Sequence, residues 1–283
     1  MKLNSKQMLN ELGQPILHKN TCYVQPGCQL YNEDCIETMQ QIETGSIDLI
    51  IQDPPYNITA NDWEYNLNLP ELWKEWLRIS KPNAALIFTA QQPFTSELIL
   101  SKKDIFKYCW YWDKGRPKNH LNAKIQPMRV IEDIVVFYRQ QPTYTPILKK
   151  KRKQDIRDNG RQYNNKNNGN YGKTKEVSIL NEFRSIDIDL KYPDNLLCIN
   201  GVGSFGFEKE GHPTQKPFEL MRYLIKTYSL ENDLVFDGYS GSGTTAAACI
   251  KEKRRFIGSE LSKEYFDKSV ERLELLRSQP ELF

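Results

Sequence analysis

Hydrophobic periodicity divides the chain into two patterned regions separated by a polar one. From about residue 30 to residue 140, and again after residue 211, short apolar runs alternate with segments of helical period. Residues 47–52 (IDLIIQ) form a β-branched run typical of a buried strand, whereas residues 69–81 place apolar side chains at helical spacing. Further strands are predicted at 84–90, 106–114, 132–140, 233–237 and 254–261, and further helices at 93–101, 216–229, 244–252 and 262–278.

Strands that alternate with helices in this way predict an α/β fold, with a mostly parallel sheet covered by helices on both faces. The 283 residues, 39% of them hydrophobic, suffice for one large domain or two small ones. No apolar run reaches the length of about 18 residues that a membrane-spanning helix needs, so we expect no membrane segment.

The polar region between the two halves carries the positive charge of the protein. Between Lys149 and Lys175 there are ten Lys and Arg residues against two Asp residues, whereas the net charge of the whole chain is only +3. A localised positive excess favours an anionic partner. A solvated loop is the alternative that charge alone leaves open, because blocks of like charge are often disordered.

A glycine-rich turn follows the strand that ends at Asp237. The sequence DGYSGSGTTA leads from this strand into a helix, and its glycines permit a tight turn and the close approach of a ligand to the backbone. Glu260, at the end of the next strand, can accept both hydroxyls of a ribose. These features predict a nucleoside-containing cofactor. The spacing Gly241-x-Gly243-x-x-Ala246 fits NAD as well as S-adenosylmethionine.

The second chemical motif, Asp53-Pro54-Pro55-Tyr56, directly follows a predicted strand. An exocyclic ring amine is a poor nucleophile because its lone pair is delocalised into the ring. Acceptance of its N–H groups by the Asp53 carboxylate and the Pro54 carbonyl would favour a tetrahedral nitrogen, and the prolines keep both acceptors aimed. The Tyr56 ring can stack on a flipped base. For an isolated motif, a tight turn without chemistry is the alternative.

Together, DPPY and DGYSGSGTT resemble the amino-group DNA methyltransferases, which use S-adenosylmethionine to methylate adenine N6 or cytosine N4. The order of catalytic motif, basic segment and glycine turn resembles the β arrangement of that family. Residues 212–217 (HPTQKP) and 32–35 (NEDC) also match family segments. The resemblance covers about residues 30–140 and 205–278. Gly238 and Tyr239 stand where the family commonly has Pro-Phe.

The resemblance implies a Rossmann-like doubly wound sheet, in the permuted class I methyltransferase arrangement, with an inserted target-recognition region. The implied divisions are an N-terminal peripheral segment (1–29), a catalytic half (30–140), a basic target-recognition insert (141–204) and a cofactor-binding half (205–283).

The resemblance also implies site residues. The catalytic set is Asp53, Pro54, Pro55 and Tyr56, of which Asp53 and Pro54 hold the target amine and Tyr56 stacks on the base. The cofactor set is Asp34, Thr214, Lys216, Asp237, Tyr239, Ser240, Gly241, Gly243, Thr244 and Glu260. The DNA-binding set, chosen for its positive charge, is Lys149, Lys150, Lys151, Arg152, Lys153, Arg157 and Arg161. No metal is expected.

The predicted activity is transfer of a methyl group from S-adenosylmethionine to N6 of a flipped adenine in double-stranded DNA. Asp in the catalytic motif is commoner in adenine enzymes of this family, and cytosine N4 is the first alternative. Methylation of RNA or of a protein glutamine, an NAD-dependent oxidoreductase and a non-catalytic DNA-binding protein are the others.

The remaining expectations concern partners and location. A second copy of the chain and a cognate restriction endonuclease are candidate partners that no residue identifies. The polar N-terminus and six cysteines without a CxxC pair predict a cytoplasmic protein with reduced thiols. The family resemblance implies that it is encoded by a bacterium or a phage.

Overall fold

The computed structural model describes residues 22–56, 67–118, 122–151, 190–202 and 215–278. The chain divides into two compact units, Met1–Thr145 with Asn195–Phe283, and Pro146–Asp194. The following predicted site residues lie outside the described residues: Arg152, Lys153, Arg157, Arg161 and Thr214.

The described residues form eleven strands and six helices. In chain order these are β1 (Cys22–Gln25), β2 (Cys28–Tyr31), α1 (Cys35–Gln41), β3 (Ile47–Gln52), α2 (Leu69–Ile79), β4 (Ser80–Ala90), α3 (Phe94–Ser101), β5 (Phe106–Lys118), β6 (Arg129–Phe137), β7 (Lys149–Lys150), β8 (Leu190–Lys191), β9 (Leu196–Cys198), α4 (Phe218–Tyr228), β10 (Leu234–Asp237), α5 (Thr244–Lys251), β11 (Arg255–Ser259) and α6 (Lys263–Ser278).

Nine of the described strands form one sheet in the order β1-β2-β11-β10-β3-β4-β6-β5-β9. The neighbours from β2 to β4 are parallel, whereas β1 is antiparallel to β2 and β6 is antiparallel to both β4 and β5. Buried side chains of α1, α2 and α3 pack on one face and those of α4, α5 and α6 on the other. The predicted α/β fold with a mostly parallel, doubly wound sheet is confirmed.

The structure corrects the predicted limit of the N-terminal peripheral segment at residue 29. Residues 22–29 contribute β1 and part of β2 to the sheet, and Cys28 and Leu30 are fully buried. These strands have four residues each and are joined by a turn in which Gly27 has a φ of +74°. Runs this short show too little alternation to predict a strand.

The lengths of two other predicted strands also differ from the structure. The strand predicted at 106–114 extends to Lys118, and the one predicted at 132–140 begins at Arg129 and ends at Phe137. These strands pair with each other as antiparallel neighbours, and cross-strand hydrogen bonds continue the pairing to Lys118 and Arg129, beyond the apolar positions. The apolar pattern therefore predicts only part of their length.

The connections of the sheet define where a ligand can bind. The β3–β4 connection packs through α2 on one face, whereas the β10–β11 connection packs through α5 on the opposite face. Because β3 and β10 are neighbours, the chain leaves their carboxyl ends in opposite directions. Ligands of open α/β sheets bind at such a switch point. Asp53 directly follows β3, and Asp237 ends β10.

Within the described residues, no helix is long and apolar enough to cross a membrane. In the same residues, no group of three or more His, Cys, Asp and Glu side chains is arranged to hold a metal ion.

Candidate active site

Asp53 lies at the carboxyl end of β3, surrounded by hydrogen-bond donors. Its Oδ1 accepts hydrogen bonds from the hydroxyls of Tyr56, at 2.7 Å, and Thr89. The Lys216 ammonium donates to Oδ1 at 2.7 Å and to Oδ2 at 2.8 Å. Burial opposes ionisation, but the Lys216 charge and these hydrogen bonds outweigh it and lower the pKa of Asp53. Asp53 is therefore an ionised carboxylate that only accepts hydrogen bonds.

A second carboxylate, Glu132 of β6, extends this cluster. Its Oε1 lies 3.0 Å from Lys216 Nζ and 3.2 Å from the Tyr56 hydroxyl oxygen, and its Oε2 lies 2.9 Å from Lys114 Nζ. The side chains of Lys216 and Glu132 are each 9% exposed. Burial alone would lower the pKa of Lys216, but Asp53 and Glu132 raise it above its ordinary value. The buried charges thus balance one another, as isolated buried charges would be costly.

Tyr56 connects the cluster to an aromatic neighbour. Its ring stacks on Phe94, with centroids 5.6 Å apart and planes 22° apart. Burial and the charges of Asp53 and Glu132 raise the pKa of Tyr56 well above its ordinary value, so its hydroxyl stays protonated as a donor. Pro54 is buried next to Asp53, and Pro55 is half-buried.

Gln52, the last residue of β3, links this segment to the glycine turn. It is fully buried, its Oε1 accepts a hydrogen bond from the Gly238 N–H at 3.2 Å, and its Nε2 donates to the Phe236 carbonyl at 3.4 Å. A Cβ on Gly238 would lie 2.8 Å from the Cβ of Cys35 and 3.1 Å from Gln52 Oε1. Only glycine fits here, which explains the departure from the proline of related sequences.

Helix α6 fixes the rest of the turn. Gly241 and Gly243 have φ values of +52° and +71°, in the left-handed region that glycine tolerates best. The Ser269 hydroxyl donates to the Gly241 carbonyl at 2.7 Å, and the buried Arg272 guanidinium donates to the Thr244 hydroxyl at 2.9 Å. The turn is therefore held in place by side chains that come later in the chain.

Two carboxyl groups lie at the carboxyl ends of neighbouring parallel strands, the buried Asp237 at the end of β10 and the half-buried Glu260 directly after β11. Burial raises the pKa of Asp237 to about 7, against the opposing effect of hydrogen bonds such as that from the Tyr239 N–H at 3.0 Å. Burial also raises the pKa of Glu260, whose oxygens accept hydrogen bonds from the N–H groups of Ser262 and Gly241, both at 2.8 Å. Each carboxylate oxygen has a second lone pair with which it can accept a ligand hydroxyl.

Three other predicted cofactor residues occupy different settings. Asp34 caps α1, where its Oδ1 accepts a hydrogen bond from the Ile36 N–H at 2.8 Å. Ser240 is 6% exposed, and its Oγ has no hydrogen-bond partner among the described residues. Lys216 was assigned to the cofactor pocket by resemblance, and the structure places its ammonium between Asp53 and Glu132.

The described part of the predicted DNA-binding set belongs to the smaller unit. Lys149 and Lys150 form β7, which pairs with β8, and Lys151 follows them. The Lys149 ammonium donates to Asp194 Oδ1 at 3.1 Å.

Sequence reasoning missed several residues of the site, namely Gln52, Thr89, Lys114, Glu132, Ser269 and Arg272. Thr89 and Gln52 carried a usable signal, because each is a polar residue at the carboxyl end of a predicted apolar strand. Glu132 lies in the first half of β6, which reaches the same edge of the sheet only because β6 is antiparallel to β4. The local apolar pattern does not indicate that direction.

The fold and the site define an α/β enzyme with a carboxylate centre beside a glycine-turn cofactor pocket. A family model described as DNA methylase matches residues 47–271, and the chain belongs to this family of DNA methyltransferases acting on N6 or N4 amines. Its cofactor is accordingly S-adenosylmethionine, as the sequence predicted.

Individual relatives agree with this assignment. The chain is 28% identical over 262 residues to the type II methyltransferase M.HpaI of Haemophilus parainfluenzae, covering 87% of this chain and 74% of that protein. It is 28% identical over 268 residues to the DNA adenine methyltransferase YhdJ of Escherichia coli (strain K12), covering 86% and 81%.

Solved structures share the fold. The M1.HpyAVI complex with SAM has a TM-score of 0.59 at 24% identity, over 88% of this chain and 100% of that chain. The PvuII DNA methyltransferase, described as cytosine-N4-specific, has a TM-score of 0.58 at 18% identity, over 89% and 92%.

The residues at the switch point fit S-adenosylmethionine, which carries a sulfonium, an ammonium and two ribose hydroxyls. Asp237 provides a buried carboxyl group and Glu260 a half-buried one for positive charge and hydroxyls, and the Ser240 hydroxyl is a buried group with free hydrogen-bonding capacity within the described residues. The glycine turn lets the ligand approach the backbone closely.

Proposed function

We propose that the protein methylates N6 of adenine in double-stranded DNA. The observation that carries this proposal is the ionised Asp53 carboxylate, which follows β3 at the switch point and begins the Asp-Pro-Pro-Tyr segment. An aspartate in this position is commoner in adenine enzymes of the family than in cytosine-N4 enzymes. The relative YhdJ, named a DNA adenine methyltransferase, also supports adenine.

Asp53 and Pro54 prepare the target amine for attack. Each accepts one amine N–H, through the carboxylate and the backbone carbonyl respectively, which favours a tetrahedral nitrogen with an exposed lone pair. Positive charge develops on this nitrogen as it attacks, and the nearby carboxylate stabilises that charge. Because its pKa is lowered, Asp53 is a weak base that orients the amine and leaves both amine protons in place during the attack. One of these protons passes to solvent after the new N–C bond has formed, which leaves the neutral methylated amine.

The cofactor supplies an electrophilic methyl group on its sulfonium. Asp237, Tyr239 and Gly241, with Gly243, shape the pocket around the methionine part, while Glu260 accepts the ribose hydroxyls and Asp34 lies near the adenine. The remaining members of the proposed cofactor set are Ser240, Thr244 and Thr214, whereas Lys216, which contacts Asp53 and Glu132, belongs to the catalytic centre. Tyr56 presents its ring to the target base.

We propose that consecutive segments of the chain have different roles. Residues 22–140 supply the catalytic half and residues 205–283 the cofactor half. Of the predicted insert at 141–204, the smaller unit Pro146–Asp194 contacts DNA, with the basic side chains of Lys149–Lys153, Arg157 and Arg161 neutralising phosphates, whereas β9 (Leu196–Cys198) is part of the main sheet.

The proposal is tested by analysis of methylated nucleosides. The protein, purified from a host without DNA methylation, is incubated with unmethylated genomic DNA and S-adenosylmethionine, and the digested nucleosides are measured by mass spectrometry. N6-methyladenine is expected from the wild type and not from Asp53→Ala prepared identically. N4-methylcytosine instead would overturn the choice of base, and the absence of both would overturn the proposal.

A further inference from the structure

The Lys216 ammonium contacts the Asp53 carboxylate, which is one of the two hydrogen-bond acceptors that the proposed function assigns to the target amine. It contacts Oδ1 of Asp53 at 2.7 Å and Oδ2 at 2.8 Å. Oδ1 also accepts hydrogen bonds from Tyr56 and Thr89, whereas Lys216 is the only donor to Oδ2 among the described residues. Oδ2 keeps a second lone pair, but the ammonium already lies on this oxygen, so an amine N–H that binds Asp53 arrives beside Lys216 and competes with it for Oδ2.

Glu132 provides a second position for this ammonium. Its Oε1 is already 3.0 Å from Lys216 Nζ, and its Oε2 is held at 2.9 Å by Lys114. The Glu132 side chain is only 9% exposed, so the carboxylate is fixed before any base arrives. A buried ammonium without a carboxylate partner would be strongly unfavourable. Lys216 can leave Oδ2 of Asp53 and remain charged because Glu132 keeps it.

We propose that the Lys216 ammonium holds the place of the target amine at Asp53, and that Glu132 is the positioning residue that retains this ammonium when the amine enters. The inference rests on the proposed role of Asp53. At Oδ2, one N–H donor replaces another, so the carboxylate stays ionised and hydrogen-bonded throughout and no proton is transferred. Before the base enters, the same ammonium keeps Asp53 ionised.

The charges of the cluster predict how two substitutions combine. Glu132→Gln leaves Lys216 with Asp53 as its carboxylate partner within the described site, so Lys216 binds Asp53 more tightly and opposes entry of the amine. Removing the charge of Lys216 as well frees Oδ2. The second substitution is therefore expected to restore activity that the first one removes. Because these two side chains are in contact, a purely structural ion pair would also give non-additive effects on stability. The restored activity is therefore diagnostic when the free energies of unfolding of Glu132→Gln and the double variant match.

The test compares Glu132→Gln, Lys216→Gln and the double variant in single-turnover methyl transfer. Tritiated S-adenosylmethionine is saturating, the substrate is unmethylated genomic DNA, and pH 8 keeps Asp53 ionised without Lys216. Glu132→Gln is expected to be slower than the wild type by about 30-fold. Lys216→Gln should be impaired less, and the double variant should exceed Glu132→Gln by about tenfold. Glu219→Gln is the matched control, because this side chain is 65% exposed on α4.

Further measurements separate positioning from folding. Urea unfolding and calorimetric titration with S-adenosylmethionine are made on every variant, and Glu132→Asp, which keeps the charge, should retain at least roughly a fifth of the wild-type rate. The inference is overturned if the double variant is no faster than Glu132→Gln, if Glu132→Gln matches the wild type, or if Lys216→Gln or Glu132→Asp is as slow as Asp53→Ala. The comparisons of Lys216→Gln and of Glu132→Asp with Asp53→Ala test the inference even if Glu132→Gln does not fold. Tritium incorporation measures methyl transfer to either base. The outcome of this test therefore does not depend on whether the product is N6-methyladenine or N4-methylcytosine.

Discussion

Replacement of Asp237 by asparagine is expected to stabilise the free protein in a pH-dependent way. The Asp237 side chain is 2% exposed, and burial raises its pKa from an ordinary value of 3.8 to about 7. A rise of roughly three pKa units corresponds to about 4 kcal/mol favouring the neutral form in the folded state. Asparagine has no charge to bury, so Asp237→Asn removes this unfavourable contribution.

The sign follows from the two pKa values of Asp237. Because the folded pKa lies above the unfolded one, the carboxyl group destabilises the fold increasingly from about pH 4 to about pH 7, and fully above that. Asp237→Asn should therefore raise the free energy of unfolding by about 4 kcal/mol at pH 8 and by about 2 kcal/mol at pH 5. Altered hydrogen bonding in the variant shifts the free energy of unfolding equally at pH 8 and at pH 5. The quantity tested is therefore the difference of about 2 kcal/mol between the stabilisation at pH 8 and that at pH 5.

Urea unfolding of wild type and variant at pH 5, 6, 7 and 8, without cofactor, provides the assay. The same difference in unfolding free energy at all four values would refute the argument, since it would mean that Asp237 is not buried as a neutral acid. Calorimetric titration of S-adenosylmethionine adds a second check. The variant should bind it more weakly at pH 8, because an ionised Asp237 is proposed to face its positive charge.

Two further predictions concern the glycine turn and the smaller unit. Gly243→Ala should lower the free energy of unfolding by about 1–3 kcal/mol and weaken binding of S-adenosylmethionine, because the residue has a φ of +71° and the added Cβ would lie 3.1 Å from that of Ser269. Gly45→Ala is the control for backbone strain alone, because Gly45 has a φ of +67° and no atom lies within 4 Å of the added Cβ. If Gly45→Ala weakened cofactor binding as much as Gly243→Ala does, the proposed contact of the glycine turn with the cofactor would be contradicted. Replacing Lys150 and Lys151 by alanine should reduce the slope of log K against log salt for DNA binding by about 0.9 for each phosphate that is no longer neutralised, and an unchanged slope would mean that these lysines do not bind phosphates.

The sequence predicted those residues of the site that directly follow a recognisable strand. A short apolar run followed by Asp53-Pro54-Pro55 identifies both a strand and the residue at its end, and the same holds for Asp237 before the glycine turn. Parallel strands bring such ends to one edge of the sheet, so the fold class was enough to place these carboxylates together.

The local pattern of hydrophobic and polar residues could not predict contacts between distant segments of the chain. Lys216 lies 163 residues from Asp53 in sequence, and its contact with Glu132 depends on the antiparallel pairing of β6 with β4. The supports of the glycine turn on α6 are another example, because Ser269 and Arg272 look like ordinary polar positions of an amphipathic helix. These arrangements follow from packing, which no local signal reports.

The central claim is that an ionised Asp53 prepares the amine and does not hold the cofactor. Asp53→Asn keeps the size of this side chain but removes its charge, and Asp104→Asn, at a side chain that is 64% exposed, is the matched control. Single-turnover methyl transfer and calorimetric binding of S-adenosylmethionine are measured on both variants and on the wild type. The account predicts that Asp53→Asn slows methyl transfer by roughly 100-fold or more, while its affinity for the cofactor stays close to that of the wild type and Asp104→Asn changes neither. Transfer at the wild-type rate by Asp53→Asn, or a parallel loss of cofactor binding, would contradict it.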